Sequence, residues 1–300
     1  MQIIRNLPGP LLILLGATSL SFGGTIVKSF EGANLWQILF WRSIFFLIII
    51  SLFLFFTYRK NFFKSFRNSG VPGFVAGLFL SFGFVGYVFA MYNTTVANTN
   101  FVISTQTIFL AIFGYIFLKE KVNRLTMICI FLAMVGVLIM VGPDLEMGKF
   151  SERMLGNLVA FAMPITFSIL IIIVRKYPNV DMVPSQFIAG CFAIFYGYLA
   201  CEFYFSGKLI ISIHDIFLGF LAGFFQLGFG FIFITVGAQK TPAVMVGIIA
   251  LTESVLGPFW AWLIIKEIPS LSVLIGGVLI IFAVLLQFYS KFKKVNRITN

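Results

Sequence analysis

Residues 118–121 read Leu-Lys-Glu-Lys and residues 265–268 read Ile-Lys-Glu-Ile, 147 positions apart. Each Lys-Glu pair closes one long apolar segment and precedes another. Laid on each other at the same offset, Thr94 meets Thr241, Thr105 meets Thr252, Ile128 meets Ile275, Leu132 meets Leu279, Val137 meets Val284 and Leu138 meets Leu285. Apolar coincidences are individually cheap, but a shared register with a charged pair is not. The chain reads as one unit used twice, and a fold that repeats a unit this long places its most distinctive chemistry between the copies.

Composition fixes the solvent of that unit. The chain is 60% hydrophobic and 10% charged, where a soluble domain carries about 25% charged residues. So much apolar surface cannot be hidden from water, so the bilayer is the expected surround. The net charge of +11 does not indicate nucleic acid, because the basic residues sit in short loops between apolar spans. Cys129, Cys191 and Cys201 lie singly in apolar stretches without ligand spacing and read as buried small hydrophobes. No cofactor or metal is expected.

Spans of roughly 20 apolar residues place ten helices at 8–28, 34–57, 71–91, 95–118, 122–142, 154–174, 184–205, 214–237, 241–265 and 269–290. Arg5 before an apolar run, with Ser19 and Ser21 behind it, resembles a cleaved signal. The run continues through Ile26 and Val27, however, and the repeat needs this helix, so it is read as a span. With the N-terminus cytoplasmic, inside loops hold fifteen basic residues and outside loops five, so both termini are expected inside. Trp36, Trp260 and Trp262 then fall near the outer interface. Five helices per half is odd, so the second copy enters the membrane upside down. The expected fold is an all-α integral membrane protein with ten transmembrane helices in two inverted five-helix repeats. Glu120 then faces the cytoplasm and Glu267 the outside.

The ten-helix count, the two halves and the Glu after the fourth helix of each half resemble the EamA branch of the drug/metabolite transporter (DMT) superfamily. The stretch Leu251-Thr252-Glu253-Ser254-Val255-Leu256-Gly257-Pro258-Phe259-Trp260-Ala261-Trp262, followed by Glu267, is similar to that family's second-repeat signature. The first repeat matches more loosely, with Gln106 in the place of Glu253 and Ala111 in the place of Pro258. The resemblance implies one repeat over 7–142, a second over 154–290 and a basic cytoplasmic tail over 291–300. It implies a central cavity lined by helices 1, 3, 4, 6, 8 and 9, with helices 5 and 10 peripheral. It is consistent with substrates as varied as amino acids, amines, sugars and drugs.

Ionisable groups deep in the bilayer are functional suspects by default, each costing on the order of 2.5–3.5 kcal/mol if unpaired. Arg42 lies about 12 Å deep from the outer face and Glu253 about 18 Å from the inner, which puts them near one level. A structural ion pair, a proton or cation site at Glu253, and an anion anchor at Arg42 all remain open. Asn100, Ser104 and Thr107 recur at helical spacing on one face, with Thr105 and Gln106 beside it. That stripe serves either helix-to-helix hydrogen bonds or a cavity. Gln106 maps onto Glu253 by register and depth, and Gln226 lies at a similar level. Tyr87, Tyr92, Trp41 and Phe225 are candidates for an aromatic cage around a quaternary amine. Gly219 with Gly223, and Gly73 with Gly77, are expected to let helices approach closely. Glu120 and Glu267 are expected to cap the positive ends of helices 5 and 10.

The function expected is a secondary transporter of a small organic metabolite, an amino acid, amine or similar, in the cell membrane. Export is more usual in the family, and proton coupling is an option. The other classes are a membrane-embedded enzyme, for which the single histidine His214 is poorly placed, and a channel-like scaffold. No nucleotide-binding loop is present to drive transport. Expected partners are the small-molecule substrate, the lipid bilayer and, as an option, a second copy in a homodimer.

Overall fold

The structure, a computed structural model, describes residues 6–93, 96–141, 159, 161–204, 209–266, 268 and 271–296. Glu267, the 144–152 loop and the end of the basic tail lie outside the described residues. All regular structure among the described residues is helical.

Local punctuation explains where the helices begin. α1 (Gly9–Leu20) opens behind Pro8 with Pro10 in its first turn, where a missing N–H costs nothing. After a break at Ser21 and Phe22 the chain resumes as α2 (Gly23–Lys28). α3 (Leu35–Tyr58) starts at a capping box: Asn34 Oδ1 accepts from the Trp36 and Gln37 N–H groups, and Gln37 Oε1 accepts from the Asn34 N–H. One repeat length later, Asp181 Oδ1 accepts from the Val183 N–H (2.9 Å) at the start of α9 (Val183–Tyr204), while Pro184, in the place of Gln37, cannot complete the box. The two halves thus share one bond of the cap.

α4 (Phe62–Asn93) begins earlier than the expected 71, because the chain is already helical before a kink at Gly70 (φ 52°, ψ −151°). That conformation is open essentially to glycine alone, and Pro72 disfavours helical geometry at Val71 before it. α5 (Val96–Ser104) and α6 (Gln106–Leu118) divide what the hydropathy reads as one helix, and so do α12 (Ala243–Ala250) and α13 (Thr252–Ile265). α7 (Arg124–Val141), α8 (Ala162–Lys176) and α14 (Leu271–Asn296) are uninterrupted. α10 (Ile213–Phe220) passes through a π-helical stretch, Leu221–Phe229, into α11 (Gly230–Ala238).

The Lys-Glu echo is a helix stop. Lys119 (φ 54°) and Lys266 (φ 60°) both take the left-handed conformation. Their N–H groups reach back to the carbonyls of Gly114 and Ala261, closing α6 and α13 alike.

Packing repeats as well. α1 lies on α11 as α8 lies on α4, and α3 lies on the π-helical stretch as α9 lies on α4. The pairs α3–α9 and α7–α14 are their own counterparts when the halves are exchanged, and α6–α12 exchanges with α13–α5. Small residues make two of these approaches: a Cβ on Gly223 would overlap the Arg42 carbonyl in α3, and one on Gly77 would overlap the Ser185 carbonyl in α9. α7 and α14 form a satellite core with α12 around Cys129, Ala133, Ile280 and Ala283, apart from the main one.

Among the described residues five helical stretches are long and apolar enough to cross a membrane: Gly9–Lys28, Leu35–Asn93, Val183–Phe203, Ile213–Ala238 and Ala243–Ile265. The second has 59 residues and folds back at Arg59–Asn61. The outer surface carries exposed Phe55, Phe131 and Phe203, an arrangement that suits lipid and not water. The chain is therefore a multi-pass membrane protein. The cysteines divide: Cys129 and Cys201 are buried as expected, whereas Cys191 is exposed on α9 beside Phe66 and Phe192.

Candidate functional site

A cavity of about 70 Å³, partly open, lies where the helices are broken. Leu20 precedes the α1–α2 break, Ile103 and Gln106 flank the α5–α6 break, and Ala250 and Glu253 flank the α12–α13 break; Gln226 and Leu227 come from the π-helical stretch. At two breaks the helix tightens locally, with the Thr105 N–H on the Val102 carbonyl and the Ser254 N–H on the Leu251 carbonyl. Discontinuous helices leave backbone groups and half-helix ends available to a ligand inside the bilayer.

Five of the residues singled out in the sequence line this cavity together: Arg42, Tyr87, Gln106, Gln226 and Glu253. Arg42 is wholly buried. Its Nη2 donates to the Phe84 carbonyl (3.2 Å), and its guanidinium lies over the rings of Tyr87 (5.2 Å) and Phe84 (5.7 Å). Nε and Nη1 have no hydrogen-bond partner. Glu253 shares the cavity, yet among the described residues no ion pair or hydrogen bond joins it to Arg42. The structural ion pair left open by the sequence is therefore not formed in this conformation. Gln226 Nε2 donates to the Leu20 carbonyl (3.2 Å), while its Oε1 is unpartnered. The remaining lining is mostly apolar, with Leu80, Phe167, Phe231 and Ile234 prominent.

The polar stripe of the fourth span does a different job. Ser104 Oγ is 2.8 Å from Ser254 Oγ, Asn100 packs at Gly257, and Thr107 packs at Gly247. These residues join α5 and α6 to α12 and α13 and do not line the cavity. Thr105 Oγ1 bonds back to the Val102 carbonyl (2.6 Å) at the helix break. Pro258, inside α13, has no N–H to offer the Ser254 carbonyl four residues back. The proposed aromatic cage is not assembled: Tyr92 and Phe225 are exposed, and the Trp41 Nε1 donates to the Leu209 carbonyl (2.8 Å). Sequence reading missed Phe84, Met163, Thr166 and Phe167. Phe84 stands three residues before Tyr87, so helical spacing alone puts it on the same face.

Glu120 meets a positive helix end, but that of α12 and not that of α7. Its Oε2 accepts from the Ala243 N–H (2.8 Å), and its Oε1 accepts from Arg175 Nε (3.1 Å) and Nη2 (2.9 Å). Arg175 Nη1 donates onward to the Gln239 carbonyl (3.0 Å). One carboxylate thus ties the end of α6 to the ends of α8 and α11 and the start of α12. Sequence spacing could not reveal this, because the partners lie 55 and 123 residues away.

Comparison with known proteins follows the same lines. Over 215 residues the chain is 26% identical to an uncharacterized transporter of Clostridium kluyveri, covering 69% of this chain and 68% of that one. Over 171 residues it is 26% identical to mouse solute carrier family 35 member G1, covering 54% of this chain and 46% of the mouse protein. A solved crystal structure superposes with a TM-score of 0.74 at 14% identity, covering 93% of this chain and 97% of that one, which speaks for the fold. The EamA-like transporter family matches twice, at residues 7–142 and 154–289. With both repeats matched, the chain belongs to the EamA-like transporter family of the drug/metabolite transporter superfamily.

Proposed function

We propose that the chain is a secondary transporter, not an enzyme, that moves a small organic metabolite such as an amino acid or amine across the cell membrane by alternating access. Ten spans in two inverted repeats, with both termini cytoplasmic, are the topology proposed for it. One observation carries the reading: a single cavity takes polar groups from both repeats, with Arg42, Tyr87 and Gln106 from the first and Gln226 and Glu253 from the second. Packing that is preserved when the halves are exchanged supports two related conformations of similar energy, one open to each side.

Export is the direction proposed, with Glu253 as the proton or cation site. An enzyme would place acid–base groups around the reacting atoms. The one histidine, His214, instead sits at the start of α10 against Asp215, away from the cavity lining. The test is uptake into proteoliposomes, screened across amino acids, polyamines, organic acids and quaternary amines. A carrier gives saturable uptake that unlabelled substrate on the far side accelerates. Flux that is linear in concentration, with no such acceleration, would identify a channel and refute the proposal.

A further inference from the structure

We infer that the transported molecule is a small monocarboxylate with an apolar body, and that Arg42 is the anchor for its carboxylate. This rests on the transporter reading and specifies its substrate class.

The starting point is a buried cation with its hydrogen bonds unmade. Arg42 is 0% exposed, and only Nη2 has an acceptor, the Phe84 carbonyl; Nε and Nη1 have none. Guanidinium donors are rarely left empty when buried, because an unsatisfied charged donor loses its hydration without compensation. The rings of Phe84 and Tyr87 offset part of the charge and hold the group in place, but a ring face does not substitute for an oxygen acceptor. Glu253, the acidic group on the same cavity, makes no ion pair with Arg42 among the described residues. An arginine fixed this way, facing a cavity, is preorganised for a planar anion brought in by the ligand.

The surroundings narrow the anion. Among the described residues Arg42 is the only cation in the lining, and Glu253 would repel additional negative charge. A dianionic phosphate would therefore be poorly matched, whereas one carboxylate balances one guanidinium. Leu80, Phe167, Leu227, Phe231 and Ile234 make the rest of the wall apolar, which calls for a hydrocarbon or aromatic body. Two sources share this chemistry. In an α-amino acid, the ammonium would turn toward Glu253. In a plain organic acid, Glu253 would be left to the proton.

The test uses the full-length protein in nanodiscs at pH 7 and four probes of similar shape: leucine, 4-methylpentanoate, 3-methylbutylamine and 3-methylbutan-1-ol. Calorimetric binding should be saturable for at least one of the two carboxylates and roughly tenfold or more weaker for the amine and the alcohol. Arg42→Lys keeps the charge but loses the fork of donors, and should weaken carboxylate binding by roughly tenfold or more. Leucine binding more tightly than 4-methylpentanoate, with the gap lost in Glu253→Gln, assigns the amino acid; the reverse order assigns the plain acid. The inference is overturned if neither carboxylate binds at millimolar concentration or if the amine or alcohol binds as tightly. It is also overturned if a folded Arg42→Lys protein binds the carboxylate as the parent does. Should Arg42→Lys fail to fold, the four-probe series on the parent protein decides alone. Trans-stimulated exchange confined to amines would overturn the anchor and leave the carrier reading intact. Carboxylate binding without any exchange would support the anchor and refute the carrier.

Discussion

Replacing Glu120 by alanine should destabilise the protein more than any other single change at a loop carboxylate, because three hydrogen bonds, from the end of α8 and the start of α12, converge on it. Two come from Arg175 at 2.9 and 3.1 Å, and the third comes from the Ala243 N–H at 2.8 Å. Each such bond to a charged group contributes about 1.5–3 kcal/mol when sheltered from water. The side chains of Arg175 and Glu120 keep 23% and 18% of their exposure, so water recovers part of what is lost. A net loss of about 2–3 kcal/mol lies between an exposed pair and a buried one. At roughly 2–4 °C per kcal/mol for chains of about this size, melting should fall by roughly 5–10 °C. Glu120→Gln keeps an acceptor for Ala243 but turns a neutral amide toward Arg175, and should fall by about half as much. Thermal unfolding in one detergent, followed by intrinsic fluorescence, reads both values. A Glu120→Ala protein melting within about 1 °C of the parent would refute the reasoning.

Other outcomes follow from the same geometry. A Cβ on Gly23 would overlap Tyr87 Oη and crowd Gln226 Nε2; Gly23→Ala should therefore cost about 1–3 kcal/mol and reduce ligand affinity, read by melting and by binding on one sample. Lys119 and Lys266 are left-handed at φ 54° and 60°, so Lys119→Gly should raise stability by about 0.5–1 kcal/mol. Gly70→Ala, at φ 52° and ψ −151°, should lower it by about 1–3 kcal/mol; comparing the two melting curves checks both signs. Glu253 has no hydrogen bond among the described residues to lose, so Glu253→Gln should leave melting within about 2 °C of the parent while abolishing uptake in proteoliposomes.

Features encoded in contiguous residues were legible in the sequence. The glycine spacing at Gly219 and Gly223 and the Lys-Glu stops act within a turn or two of themselves, whereas the Asn34–Gln37 capping box, equally local, was not read from the sequence. Depth along the spans put Arg42, Gln106, Gln226 and Glu253 near a common level, the repeat pairing Gln106 with Glu253, and one cavity does hold them. What failed to show depends on pairs of distant residues. The Asn100–Ser104 stripe is equally polar whether it lines a cavity or hydrogen-bonds a neighbour, and only the placement of Ser254 and Gly257 decides for the neighbour. The capping role of Glu120 was foreseeable from its charge, but the helix it caps was not. Helix breaks at Thr105 and Leu251 leave no mark in hydropathy, because each removes too few backbone hydrogen bonds to need a glycine or proline at the break. Tyr92 and Phe225 were indistinguishable by composition from the aromatic residues that face the cavity, in a chain with 40 phenylalanines.

The most direct measurement of alternating access is the accessibility of a single cysteine in the cavity. Thr166→Cys, placed in the lining of a variant whose Cys129, Cys191 and Cys201 are replaced by serine, is exposed to an impermeant thiol reagent from either face of oriented vesicles. The account predicts modification from both faces. It also predicts that loosening the helix ends joined by Glu120, with Glu120→Gln, raises the rate from the face bearing residue 120 and lowers it from the other in the same proportion. Modification from one face only, or two rates that change independently, would contradict it.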